Sequence, residues 1–197
     1  ERTQADRPVF ANNRNIAGFR PAWKEMVYQI IAERAQGSRI WAVGGREYID
    51  LTMGFGVHLF GHQPPFLTAA IEREMRQGMP LGPMSHLAGR VAREIRDMTG
   101  VERVAFYNTG TEAVMVALRI ARTVTGRTKV VLFEGSYHGG FDGVLAAPRY
   151  RDGLLSTVPG SPGTTQGMVD DVLVLKYGDP ESLARIRASG YELAAVL

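Results

Sequence analysis

Cysteine is absent from the 197 residues, so the chain carries neither a disulfide framework nor a thiolate metal site. Lysine is almost as scarce: of 23 basic residues only Lys24, Lys129 and Lys176 are lysine, which limits any chemistry that needs a side-chain amine. No apolar run approaches the roughly 20 residues that cross a bilayer. The first residues, Glu1 to Asp6, are charged where a signal peptide would place its apolar stretch. A cytoplasmic protein that does not engage a membrane is the expectation. The histidines His58, His62, His86 and His138 are not spaced as metal-ligand pairs, so no metal site is expected. A G-x-S-x-G elbow, a Ser/His/Asp set, a Walker loop and a G-x-G-x-x-G fingerprint are all missing.

The sequence pI of about 9.4 raises the question of nucleic acid, yet the net charge is only +3. Arginines are interleaved with acids, as in Glu72, Arg73, Glu74, Arg76 and Arg93, Glu94, Arg96, Asp97. Such mixing marks solvated helix faces, not a phosphate-binding stripe.

Along the chain, residues 1–20 are polar and Asn-rich and read as an irregular arm. Pro21 opens a predicted helix in which Trp23, Met26, Val27, Ile30 and Ile31 recur at helical spacing as far as Gly37. Arg39–Val43 and Glu47–Leu51, joined through Gly44 and Gly45, predict a hairpin. Met53–His62 is Gly-rich and irregular. Helices are expected over Pro65–Gln77, Ser85–Thr99, Thr111–Thr125 and Pro180–Ala188. Strands are expected over Val104–Tyr107, Lys129–Phe133, Val172–Leu175 and Leu193–Leu197, with Gly- and Pro-rich loops from Glu134 to Gly167. Apolar strands alternating with helices after residue 100 imply an α/β protein, a mainly parallel sheet with helices on both faces. The alternation stops at Leu197, and the expectation is a domain cut short there.

Two motifs fall at the carboxyl ends of predicted strands, where parallel sheets bind ligands. Tyr107-Asn108-Thr109-Gly110-Thr111-Glu112-Ala113 joins a strand to a helix, whose first N–H groups lack internal partners and carry partial positive charge. With Gly110 allowing close approach and Thr109 and Thr111 offering hydroxyls, the run reads as a phosphate cradle. It reads equally as an ordinary N-cap. Glu134-Gly135-Ser136-Tyr137-His138-Gly139-Gly140 follows another strand and sets an aromatic ring and an imidazole among glycines. Taken singly it could be a tight loop; the coincidence of both motifs at one sheet edge points to a shared ligand site. Of the lysines, Lys24 reads as solvated, Lys129 begins a strand at the opposite edge, and Lys176 ends one at the edge of interest.

Several collinear stretches resemble the class III aminotransferase family, which includes glutamate-1-semialdehyde aminomutase and ω-amino-acid transaminases. They are Ile49-Asp50-Leu51, Gly54-Phe55-Gly56, Leu59-Phe60-Gly61-His62, Asn108 to Ala113, Ala117 to Arg122, Thr125-Gly126-Arg127 and Tyr137-His138-Gly139. The resemblance runs from about residue 14 to the end. It implies a fold-type I transferase that binds pyridoxal 5'-phosphate. The phosphate would lie on Thr109, Gly110 and Thr111, the ring against Tyr137 with His138 beside it, and Phe55 at the substrate mouth. Residues 1–50 would then belong to the small domain and residues 51–197 to an incomplete large domain. Gly18-Phe19-Arg20-Pro21, Lys24-Glu25-Met26 and Thr52 to Val57 are similar to aminotransferase domains embedded in polyketide and peptide megasynthases. That similarity implies a carrier-tethered acyl acceptor and an acyl carrier protein as partner.

The resemblance also implies that the Schiff-base lysine and the aspartate beside the ring nitrogen lie beyond Leu197, so this chain would contain no catalytic residue of its own. The full-length parent is expected to be a homodimeric transaminase acting on an amino donor and a keto or aldehyde acceptor. An aminomutase that moves the amino group within one substrate is the alternative. A non-catalytic fragment or binding module is the other reading, and a Rossmann-like nucleotide domain is disfavoured by its missing glycine pattern.

Overall fold

A computed structural model describes residues 8–9, 30–78, 82 and 84–197. Contacts divide the chain into two compact units, the first ending at Ser85 and the second running from His86 to Leu197. The arm and most of the helix expected after Pro21, with Lys24, lie outside the described residues.

In the first unit, glycine turns override helical periodicity. Ala32–Gln36 is strand β1, not the end of a helix, and it pairs antiparallel with β2, Arg39–Ala42. Gly37 takes a φ of +56° in the two-residue turn between Gln36 and Arg39, a conformation a helix interior does not supply. The Arg34 guanidinium lies 3.6 Å from the centre of the Trp41 ring across the pair, a cation–π contact that only the strand register allows. β2 pairs in turn with β3, Glu47–Ile49, around Gly44 and Gly45, the hairpin expected from the sequence. The turn-rich segment after Asp50 closes back on this sheet, because His62 and Gly37 exchange backbone hydrogen bonds of 2.8 and 2.9 Å. The compact unit therefore extends well past residue 50. Helix α1, Pro65–Gln77, opens on proline and ends at Gly78, with a φ of +82°.

The second unit begins with α2, His86–Thr99. Val104–Tyr107, expected as a buried strand, forms neither strand nor helix and has no ladder partner among the described residues, and Phe106 and Tyr107 are about half exposed. Helix α3, Gly110–Thr125, follows, closed by Gly126 in the left-handed conformation. The sheet consists of β4 (Lys129–Phe133), β7 (Val172–Leu175) and β8 (Leu193–Val196), in the order β7-β4-β8 and parallel throughout. Val130, Val131 and Leu132 on the central strand are buried on both faces, which is why they form an unbroken aliphatic run. Leu118 of α3 packs with Val130, Leu132 and Val174. Each such side chain contributes about 1.5–3 kcal/mol on burial. Among the described residues, all the fully buried hydrophobic side chains belong to this unit, so it holds its own core.

The segment from Glu134 to Gly167 is not all loop. Ala146–Arg151 (β5) and Leu154–Pro159 (β6) form an antiparallel hairpin around Asp152 and Gly153, both at positive φ. Asp-Gly is a strong two-residue hairpin signal, but Pro148 and Pro159 within the flanking runs obscure it. A 3-10 turn, Asp142–Val144, precedes the hairpin. A short helix, α4 (Gln166–Val169), follows it, and α5, Pro180–Ala188, is capped by Asp179. Among the described residues no helix is long and apolar enough to cross a membrane.

Candidate functional site

Thr109 caps α3, and it does so without consuming the donors a ligand would need. Its hydroxyl oxygen accepts the Glu112 N–H at 3.1 Å. The Glu112 carboxylate reaches back to accept the N–H groups of Asn108 (3.0 Å) and Thr109 (3.1 Å), completing a capping box. The Ala113 N–H bonds to the Thr109 carbonyl. The N–H groups of Gly110 and Thr111 are left without an acceptor among the described residues. A side chain added at Gly110 would meet no atom within 4 Å, so the space beside this residue is open. Cap and anion cradle are thus compatible functions of one motif. The role of Glu112 went unread in the sequence, although the T-x-x-E spacing of Thr109 and Glu112 is its signature.

The second motif meets the first directly. Gly140 donates its N–H to the Thr111 hydroxyl oxygen at 3.1 Å, which leaves the Thr111 hydroxyl hydrogen free to be donated elsewhere. Gly139 is buried with a φ of +101°, and a Cβ there would lie 2.5 Å from Thr111 Oγ1 and 2.8 Å from its Cα. Only glycine permits this approach. The loop is fixed at its start by Glu134, whose N–H bonds to the Leu175 carbonyl at 2.8 Å. It is fixed again at Ser136, whose hydroxyl donates to the Phe133 carbonyl at 2.5 Å. Because Ser136 has spent its only hydrogen, its oxygen accepts from His138 Nε2 at 2.8 Å, and Nδ1 of His138 is the free acceptor. Tyr137 stands 82% exposed, its ring uncovered. Thr109, Gly110, Thr111, Tyr137 and His138 therefore gather at one place, at the carboxyl end of β4.

Neither described lysine belongs to either motif. Lys129 pairs with Glu192 at the amino edge of the sheet, and that hydrogen bond and charge raise its pKa, holding the amine protonated. Lys176 follows β7 at the carboxyl edge, its ammonium 5.4 Å from the centre of the Tyr150 ring. A cleft of about 320 Å³ opens at the amino edge instead, lined by Lys129, Asp170, Asp171 and Arg185 among others. Ligand sites in open parallel sheets lie at the other end, and the cleft contains neither motif.

Phe55 belongs to the first unit, in the turn-rich segment after β3, and is 95% exposed. Its φ is +58°, and Met53 and Gln63 are also left-handed at +47° and +52°. Such conformations in non-glycine residues cost about 1–3 kcal/mol each and persist only where neighbours enforce them. Asp50 supplies part of that enforcement: Oδ1 accepts the N–H groups of Thr52 and Met53, each at 2.9 Å, and Oδ2 lies 2.8 Å from His62 Nε2. The Met53 hydrogen bond, then His62, hold the Asp50 carboxyl below the usual range for aspartate. A carboxyl with a depressed pKa stabilises the fold above its unfolded value, about 3.9, and loses that contribution as pH falls through the folded value. In the full-length protein, the Tm difference between wild type and Asp50→Asn should therefore stay constant near neutrality and narrow at acid pH. A difference that does not change down to acid unfolding would contradict the depressed pKa of this carboxyl.

Residues 20–192 match the family described as aminotransferase class III. The chain is 39% identical over 179 residues to a glutamate-1-semialdehyde 2,1-aminomutase of Caldivirga maquilingensis, covering 89% of this chain and 41% of that relative. Among solved structures it superposes on an ω-transaminase from Sphaerobacter thermophilus with a TM-score of 0.86 and 29% identity. That alignment covers 98% of this chain and 45% of the other. A transaminase with pyridoxal phosphate bound gives a TM-score of 0.83 at 28% identity, over 98% of this chain and 45% of that one. The chain thus spans about two fifths of the length of the curated relatives it matches.

Proposed function

The chain belongs to the class III aminotransferases, and from that membership we propose that its full-length parent is a pyridoxal-phosphate enzyme moving an amino group from an amino donor to a keto or aldehyde acceptor. The observation that carries the reading is the junction of the two motifs, the 3.1 Å bond from Gly140 to Thr111. It sets two unused N–H groups and two hydroxyl donors beside an uncovered tyrosine ring and an imidazole acceptor. That donor set fits a phosphate monoester attached to a flat heteroaromatic ring.

Gly110 and Thr111 would hold the phosphate through their N–H groups, and Thr109 and Thr111 through their hydroxyl hydrogens. Tyr137 would cover one face of the ring and exclude water from it. His138, oriented by Ser136, would offer Nδ1 as an acceptor beside the ring. When bound, the cofactor supplies an electron sink for the carbon that carries the amine. Phe55 is proposed as a substrate contact only.

Further features of the parent belong to the same proposal. They are a lysine and an aspartate outside these residues that complete the site, a homodimeric state and a cytoplasmic location. They also include the division into a small-domain part up to residue 50 and a large-domain part after it. A carrier-tethered acyl acceptor, presented by an acyl carrier protein within a megasynthase, is the proposed substrate setting; the similarity of residues 18–26 and 52–57 supports it.

The aminomutase alternative is favoured by the names of the curated relatives, several of which are glutamate-1-semialdehyde 2,1-aminomutases. Full-length protein that converts an amino-aldehyde with no separate donor would decide for it. The cofactor assignment is tested at Tyr137. Ring stacking contributes on the order of 1 kcal/mol, so Tyr137→Phe should retain most of the affinity and Tyr137→Ala should lose several-fold in an absorbance titration. Equal affinities for the two variants would remove the stacking role.

A further inference from the structure

Residues 50–62 form a loop tied at both ends by one carboxylate. At the start, Asp50 Oδ1 holds the N–H groups of Thr52 and Met53; at the end, Oδ2 holds His62. His62 is itself anchored, since its backbone exchanges two hydrogen bonds with Gly37 in the β1–β2 turn. The His58 ring lies 4.3 Å from that of His62, adding a second contact within the loop. The carboxylate and the imidazole are both largely covered, at 14% and 13% exposure, whereas Phe55, Val57, Leu59 and Phe60 are at least 70% exposed. The loop thus has a polar clasp inside and an apolar rim outside. Phe55, on that rim, receives its conformation from the chain that the clasp fixes: its N–H bonds to the Thr52 carbonyl at 2.9 Å, and the Thr52 N–H bonds to Asp50.

We propose that Asp50 and His62 are positioning residues for substrate acceptance, clasping residues 50–62 so that Phe55 is held in its left-handed conformation. The inference rests on the reading of Phe55 as a substrate contact. Without the clasp the strained backbone at Met53 and Phe55 relaxes, and the aromatic ring no longer meets the acceptor in one orientation. Asp50 and His62 lie outside both phosphate-binding motifs in the sequence, and cofactor affinity is expected to stay unchanged.

The experiment is a double-mutant cycle in the full-length enzyme with its amino acceptor. His62→Ala and Phe55→Ala should each raise the acceptor KM about tenfold with kcat little changed, and the double variant should be no worse than Phe55→Ala alone. His62→Gln, whose amide can still donate to Asp50, should recover most of the loss. Asp50→Asn, which keeps the Oδ1 acceptor, serves if His62→Ala does not fold, and should raise KM in the same direction. An unchanged KM in Phe55→Ala would defeat the Phe55 reading itself. KM penalties that add in the double variant would leave that reading standing and overturn the clasp. A loss of kcat and cofactor affinity along with KM would also overturn it, since that marks general structural damage.

Discussion

Incubated with pyridoxal phosphate and an amino donor, the 197-residue chain alone will transfer no amino group, and borohydride will fix the cofactor to no single lysine. The reaction needs an amine that can be deprotonated and held within reach of the cofactor aldehyde. Lys129 fails on both counts: it lies at the amino edge of the sheet, and the Glu192 carboxylate raises its pKa. Lys176 is at the correct edge, but its ammonium rests over the Tyr150 ring, and it stands outside both ligand-binding motifs. Lys24 lies outside the described residues and outside those motifs. Peptide mapping after reduction should give sparse labelling spread over several amines. Stoichiometric labelling at Lys176, together with turnover, would overturn the expectation.

Gly110→Val and Gly139→Ala should both cost the full-length enzyme its cofactor, for different physical reasons. At Gly110 the added side chain meets no protein atom, and the backbone does not need positive φ, so the fold should tolerate it. The valine would instead occupy the open space beside the two free N–H groups. Losing two hydrogen bonds to a charged group, at about 1.5–3 kcal/mol each, predicts a fall in affinity of at least about 100-fold and up to about 10,000-fold. At Gly139 the alanine Cβ would press on Thr111 Oγ1 and on its Cα, and the backbone atom cannot swing aside. Overpacking of about 1–3 kcal/mol adds to the strain of an L side chain at a φ of +101°. Affinity should therefore fall together with Tm. Absorbance titration and thermal unfolding on the same samples separate the two cases. A Gly110→Val enzyme with wild-type affinity would remove the cradle, and a Gly139→Ala enzyme with wild-type Tm would contradict the close junction.

Much of this architecture can be read directly from the residues. Lys129–Phe133, Val172–Leu175 and Pro180–Ala188 take the bounds their apolar patterns predict, because doubly covered strands and a proline-opened helix are local signatures. Pro65–Gln77 does so as well. Two misreadings share one cause. The residue pattern makes Gly37 a helix stop and Asp152-Gly153 part of a loop, whereas both are hairpin turns. A glycine ends a helix and turns a hairpin with the same positive φ, and what distinguishes the two is whether a partner strand lies alongside. Val104–Tyr107 shows the converse, since an apolar run of strand type becomes a strand only when a neighbour completes its ladder.

By itself, the sequence determined the family and the parallel sheet, and it offered Thr109, Gly110, Thr111, Tyr137 and His138 as candidate site residues. Those follow from order along the chain, from periodicity and from the chemistry of residue types. Only the tertiary structure decided that Gly139 and Gly140 close onto Thr111 and that Asp50 reaches His62 across eleven intervening residues. A hydrogen bond requires a separation of about 3 Å and an aligned donor. Such distances between residues far apart in sequence are set by the packing of the elements that carry them, which no local pattern encodes.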